Sequence, residues 1–187
     1  MNNKRLLLLV SLFFFLISFF TPKTVEAIDL QEITVSDNSI ITKIQEGVEY
    51  FFAFSAEKKI QVLEKHAEKR LVMAQDYAEK GNNEKVQGLI QNYLQVKERQ
   101  NNLLEKTDKG EVLGAVQERT IEQQKTMEEI KTKIDEGGKQ EVIQVQEQVV
   151  NQVVKRVIDV NGSEGATEFL LGARNGTGRG SGSGCGW

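Results

Sequence analysis

The side chains able to do metal or nucleophilic chemistry are few: one histidine, His66, and one cysteine, Cys185, in 187 residues. A structural zinc site takes four nitrogen or sulfur ligands, which two such residues in one chain cannot supply. His66 follows Lys65 and precedes the apolar-seam residue Ala67. Each helical residue turns about 100°, so His66 is read as facing solvent or the seam's edge. The run Gly180-Ser181-Gly182-Ser183-Gly184 has no histidine near it to make a nucleophile elbow, and no Gly-Lys-Ser/Thr to make a phosphate loop. The carboxylate pairs Glu128/Glu129 and Glu118/Glu122 could hold a hard cation, but no Asp-rich calcium loop accompanies them. Glu128 with Lys131, and Glu129 with Lys133, are read as helix-surface pairs of ~0.2 to 0.5 kcal/mol each. These residues point to a non-enzymatic protein with no catalytic residues, no cofactor and no metal ligands. Asn161-Gly162-Ser163 and Asn175-Gly176-Thr177 match a glycosylation sequon that matters only in a eukaryotic secretory pathway.

The remaining concentration of binding chemistry is aromatic: Tyr50, Phe51, Phe52 and Phe54 form the densest large-apolar group after the N-terminal segment. One reading packs them as core between the first two helices. The sharper reading makes them an exposed patch that receives a partner.

The first residues bear on compartment. Lys4 and Arg5 precede the apolar stretch from Leu6 to Phe20, and Val25-Glu26-Ala27 follows. A basic start, a hydrophobic middle and small residues at the cleavage positions make a secretory signal, with cleavage expected after Ala27. A helix of that stretch spans about 22 Å, short of the ~30 Å hydrocarbon core. The alternative is an uncleaved segment anchoring the chain in a thinned bilayer. Cleavage would remove Lys4, Arg5, Lys23 and Glu26, leaving 160 residues with 21 basic and 26 acidic side chains, a net charge of −5. Such a balance withdraws the main physical support for nucleic-acid binding. The lone cysteine allows no internal disulfide and is far from the position of a lipid-modified cleavage-site cysteine.

Beyond Pro22 the chain has no proline and is rich in Glu, Lys and Gln, which permits long helices. The reading is all-α: a signal peptide over 1–27, a leader over 28–35, a helical core unit over 36–105, a coiled-coil-like extension over 106–160, and a disordered glycine-rich tail over 161–187. The first helix, 39–54, carries Ile40, Ile41, Ile44, Val48, Phe51 and Phe52 on one face. Ser55 caps the second, whose seam of Ile60, Leu63, Ala67, Leu71, Ala74 and Ala78 ends at Gly81. The short Gly81-Asn82-Asn83 connection forces an antiparallel hairpin with a third helix reaching Leu104. A fourth helix over 111–136 has its apolar stripe diluted by Thr120, Gln123 and Gln124 and ends at Gly137-Gly138. The fifth is valine-rich, which makes a strand conceivable, yet its spacing is helical over about 20 residues. The last two helices are therefore expected to bury less apolar area and to open more easily than the first three. In the tail, nine of the 26 residues from Gly162 to Trp187 are glycine, and only Phe169-Leu170-Leu171 offers a short docking turn.

Several motifs together resemble a known family. They are Asp37-Asn38-Ser39-Ile40-Ile41, Tyr50-Phe51-Phe52-Ala53-Phe54-Ser55-Ala56-Glu57-Lys58-Lys59, Ala67-Glu68-Lys69-Arg70-Leu71 and Ala78-Glu79-Lys80-Gly81-Asn82. Over about residues 37–105 the chain is similar to the uncharacterised prokaryotic domain of unknown function 5667, with Ile40 where the family usually has proline. The resemblance implies an exported or membrane-tethered helical protein and assigns no functional residues.

The sequence reading thus ends at an exported, secreted or periplasmic helical protein, an interaction or structural module of the cell envelope. Its partner would be an unknown protein or a second copy, and it would meet membrane only through an uncleaved signal segment. The alternative is a small extracytoplasmic chaperone-like protein that binds unfolded clients.

Overall fold

A computed structural model describes residues 40–107 and 110–176, with the side chains of residues 40, 41, 175 and 176 left out. The signal segment, Ala27, the leader and Cys185 lie outside the described residues. Five helices account for nearly all of the described chain: α1 (Ile40–Phe52), α2 (Ala56–Glu79), α3 (Asn83–Leu104), α4 (Gly110–Lys131) and α5 (Glu136–Gly176).

Local chemistry sets the boundaries. Ser55 has extended backbone and its hydroxyl accepts from the Lys58 amide, satisfying one of the free donors that open α2. Asn82 does the same for α3 through the Lys85 amide. Between them Gly81 turns the chain at φ 70°, in the left-handed region that only glycine enters freely. The turn before α5 is held by Asp135, whose carboxylate accepts from the Gly138 amide at 2.7 Å. Gly137 and Gly138 therefore stand in the first turn of α5, where the sequence reading had them ending the preceding helix.

Two antiparallel hairpins, α2–α3 and α4–α5, lie side by side, with α2 against α4 and α3 against α5. Cross-helix hydrogen bonds give the register. Glu64 meets Gln123, Gln75 meets Glu129 and Lys133 meets Glu79, so α2 and α4 run parallel. Gln91 meets Glu141 on the other flank. One apolar cluster draws on all four helices, with Ala67, Leu71, Leu89, Ile90, Met127 and Val149 among its members. A second gathers Ile60, Leu104, Leu113, Val116, Val153 and Val157.

Three expectations change here. The last two helices are not a separate extension: Met127, Ile130 and Val149 are as fully buried as Ala67 and Ile90. Thr120, Gln123 and Gln124 do interrupt the apolar stripe of α4, yet all three are buried in the interior with it. Finally, the helical chain does not stop at residue 160. At Gly162 (φ 74°, ψ −174°) α5 breaks, and a second helical part continues to Gly176. It packs Ala166 and Phe169 into the second cluster. Gly172 comes so close to α4 that an added Cβ would lie 2.6 Å from Ile121 Cδ1. The expected tail from residue 177 onward lies outside the described residues.

Candidate functional site

Helix α1 carries charged and apolar residues on different faces, and it is the charged edge that meets α2. Arg70 donates to Glu46 at 2.6 Å, and His66 Nε2 lies 3.0 Å from Glu49 Oε2. Thr42 and Ala53 are the buried residues along the same edge. His66 is therefore buried, not the surface residue read from the sequence. Its signal was present in the acidic residues Glu46 and Glu49, one turn apart on α1, but pairing across 17 residues is invisible to helical periodicity. The hydrogen bond from His66, helped by one from Gln45, holds the Glu49 carboxyl below the ordinary carboxylate range against a smaller opposing effect of burial.

The opposite face of α1 has no cover among the described residues. Phe51 is 73 % exposed, Phe52 61 % and Phe54 82 %, and Ile44 and Val48 are also exposed. Tyr50 is half-buried with Lys59 Nζ 5.1 Å from its ring centroid. The rings of Phe51 and Phe52 meet edge to face at 5.5 Å, and Phe52 and Phe54 do so at 6.3 Å. The aromatic group is thus a surface patch, and its packing as core between the first two helices does not occur. Each large apolar side chain left out of the interior forgoes roughly 1.5–3 kcal/mol of burial.

Where α1 arches over α2 and faces α3, a cleft of about 620 Å³ opens. Lys43, Glu46 and Gly47 line it from α1, His66 and Arg70 from α2, and Arg99 from α3.

The bundle interior holds the other polar group. Glu64 accepts from Lys97 at 3.2 Å and from Gln100 and Gln123, while the Tyr93 hydroxyl donates to Gln123 at 3.0 Å. Burial pushes Lys97 below the usual lysine range, with Glu64 opposing, and pushes Tyr93 well above the usual phenol range. This layer has one carboxylate, and its donors and acceptors meet one another at the centre of the bundle. Glu128 and Lys131 form the expected pair at 2.6 Å. Glu129 and Lys133 instead take separate partners on α2, Gln75 and Glu79. Among the described residues no three His, Cys, Asp or Glu side chains come together in a metal-binding group.

No curated protein and no solved structure matches the chain. A match to the family described as domain of unknown function DUF5667 runs over residues 40–137, from the first residue of α1 through α4 to the first turn of α5. It extends beyond the stretch ending near Glu105 in which the sequence resemblance was seen, and it takes in just over half of the 187 residues. The arched helix with its aromatic end and the three helices that follow are thus the part of this molecule held in common with other proteins, and the chain belongs to the DUF5667 family.

Proposed function

We propose that this protein is a non-enzymatic interaction module of the cell envelope that docks a protein partner through the exposed face of α1. The observation that carries the reading is the contiguous patch of Ile44, Val48, Phe51, Phe52 and Phe54. Patches of this kind, rimmed by polar residues, mark association surfaces. The placement outside the cytoplasm rests on the N-terminal Lys4-Arg5 and Leu6–Phe20 pattern. No described helix is long and apolar enough to cross a membrane.

A photo-crosslinking residue at position 51, in cells making the protein, tests the docking face against the same residue at position 125 on exposed α4 surface. A discrete adduct specific to position 51 is expected, and equal labelling at both positions would overturn the reading. The N-terminus of the protein recovered from the envelope tests export: Ile28 is expected after cleavage, and Met1 with membrane retention gives the anchored form. The same patch also suits a chaperone-like role toward unfolded clients. That reading predicts suppression of aggregation of a reduced client, lost when Phe51, Phe52 and Phe54 are replaced by serine.

A further inference from the structure

We propose that the cleft between α1, α2 and α3 is a binding site for a small oxyanion, a carboxylate or phosphate carried on a hydroxylated molecule. Tyr50 lines it, while Phe51, Phe52 and Phe54 lie away from it, and the assignment does not depend on the docking role given to them.

The charge balance comes first. Lys43, Arg70 and Arg99 line the cleft with one carboxylate, Glu46, and with His66. Lys43 and Arg99 have no ion pair among the described residues, so the wall carries uncompensated positive charge. In a protein of net charge −3 this is a local reversal of sign.

Arg70 supplies the second observation. It is only 7 % exposed, and while Nη2 is held by Glu46, its Nη1 is buried without a hydrogen-bond partner among the described residues. A buried guanidinium nitrogen left unpaired is costly, and an oxyanion is the group that a guanidinium fork fits best. Glu46 Oε1 is likewise buried and unpaired. One free donor and one free acceptor on adjoining side chains call for a ligand with an anionic oxygen and a hydroxyl or amino donor close to it.

Gly47 is the third. It stands in the middle of α1, where glycine weakens a helix, and an added Cβ there would meet nothing within 4 Å. Its missing side chain leaves the cleft open. At about 620 Å³ the space is that of a small-molecule site.

Titration calorimetry on the full-length chain in a nonionic detergent, using galacturonate, glucose 1-phosphate and neutral glucose as probes, tests the assignment. Saturable binding of at least one anion is expected, about tenfold or more tighter than glucose. Binding of galacturonate alone identifies a carboxylate site, and of glucose 1-phosphate alone a phosphate site. Arg99→Gln and Gly47→Leu should each weaken that binding about tenfold or more, while thermal melts followed by circular dichroism stay at or above the wild-type value. Gly47→Leu is the fold-safe variant, since it fills the cleft while improving helix propensity. The site is overturned if neither anion saturates by about 10 mM, if glucose binds as tightly, or if both variants bind as well as wild type.

Discussion

Helix α1 buries Thr42 and an edge carrying Glu46 while leaving Ile44, Val48, Phe51 and Phe52 in solvent, whereas the four-helix bundle encloses Glu64, Lys97, Gln100 and Gln123 at its centre. Both regions thus depart from the rule that apolar faces turn inward, in opposite senses. In the bundle Glu64, Lys97, Gln100 and Gln123 have one another as partners, and an ion pair held by further hydrogen bonds is tolerated in an interior. For α1, the apolar residues of α2, such as Leu71 and Ala74, are already covered by the bundle. What remains for α1 on that side is Arg70 and His66, so its carboxylates dock and its aromatic residues face out. Amphipathicity says that a helix has two faces; the surface on offer decides which one is buried.

The strongest way to break this contrast is to leave the interior layer half satisfied. Glu64→Ala strands Lys97, which is 2 % exposed, and should cost about 3–5 kcal/mol in urea denaturation. A loss below about 1 kcal/mol would mean that water already serves the layer. Replacing Glu64 by Leu together with Lys97 by Met should recover only part of that loss, because the buried Gln123 amide loses its acceptor.

Gly162→Ala comes next. At φ 74° and ψ −174° the backbone is in a region that essentially only glycine occupies, so about 1–3 kcal/mol is expected. Hydrogen exchange should show the loss first in residues 163–176, and uniform loosening of α2 would contradict the independent docking of that segment.

Acid should separate α1 from the bundle by a smaller amount. The folded-state pKa of Glu49 lies below its ordinary value of 4.5, so its contribution is fully present above that value and fades as pH falls through the lowered one. Amide exchange in α1 should rise below pH 4.5 while α3 around Tyr93 stays protected, and Glu49→Gln should flatten the difference. Smallest of all, Phe51→Ser should shift stability by no more than about 0.5 kcal/mol, as expected for a side chain 73 % exposed. A large loss in the melt would place Phe51 in a core after all.

Much of the fold was legible in the sequence because it rests on local rules. The Ser55 cap, the Gly81 turn and the α2 seam follow from spacing and from the conformational range of single residues. The site was less so. That Arg70 and His66 would receive Glu46 and Glu49 is a matter of pairing between helices, which periodicity does not encode. The segment after residue 160 departs from the expected tail for a different reason: glycine content says nothing of where the glycines stand, and here their positions carry the information. Gly162 makes the turn and Gly172 the close approach to α4, while Ala166, Phe169 and Ala173, spaced by three and four, are the buried side of a helix. Gln123 stands as a gap in the α4 stripe for the same reason as the ion pairs of α1: its partners Tyr93 and Glu64, 30 and 59 positions away, are not visible from its neighbours.

The family match closes at Gly137, yet α5 supplies Val142, Val145 and Val149 to the cluster that contains Leu89, Ile90 and Met127. Residues 40–137 by themselves would therefore be an unfinished bundle, three long helices around an open trough. Such a trough is what fragment complementation requires. A separate peptide covering α5 should restore the missing wall to the 40–137 fragment, just as a missing strand can be donated to an incomplete sheet.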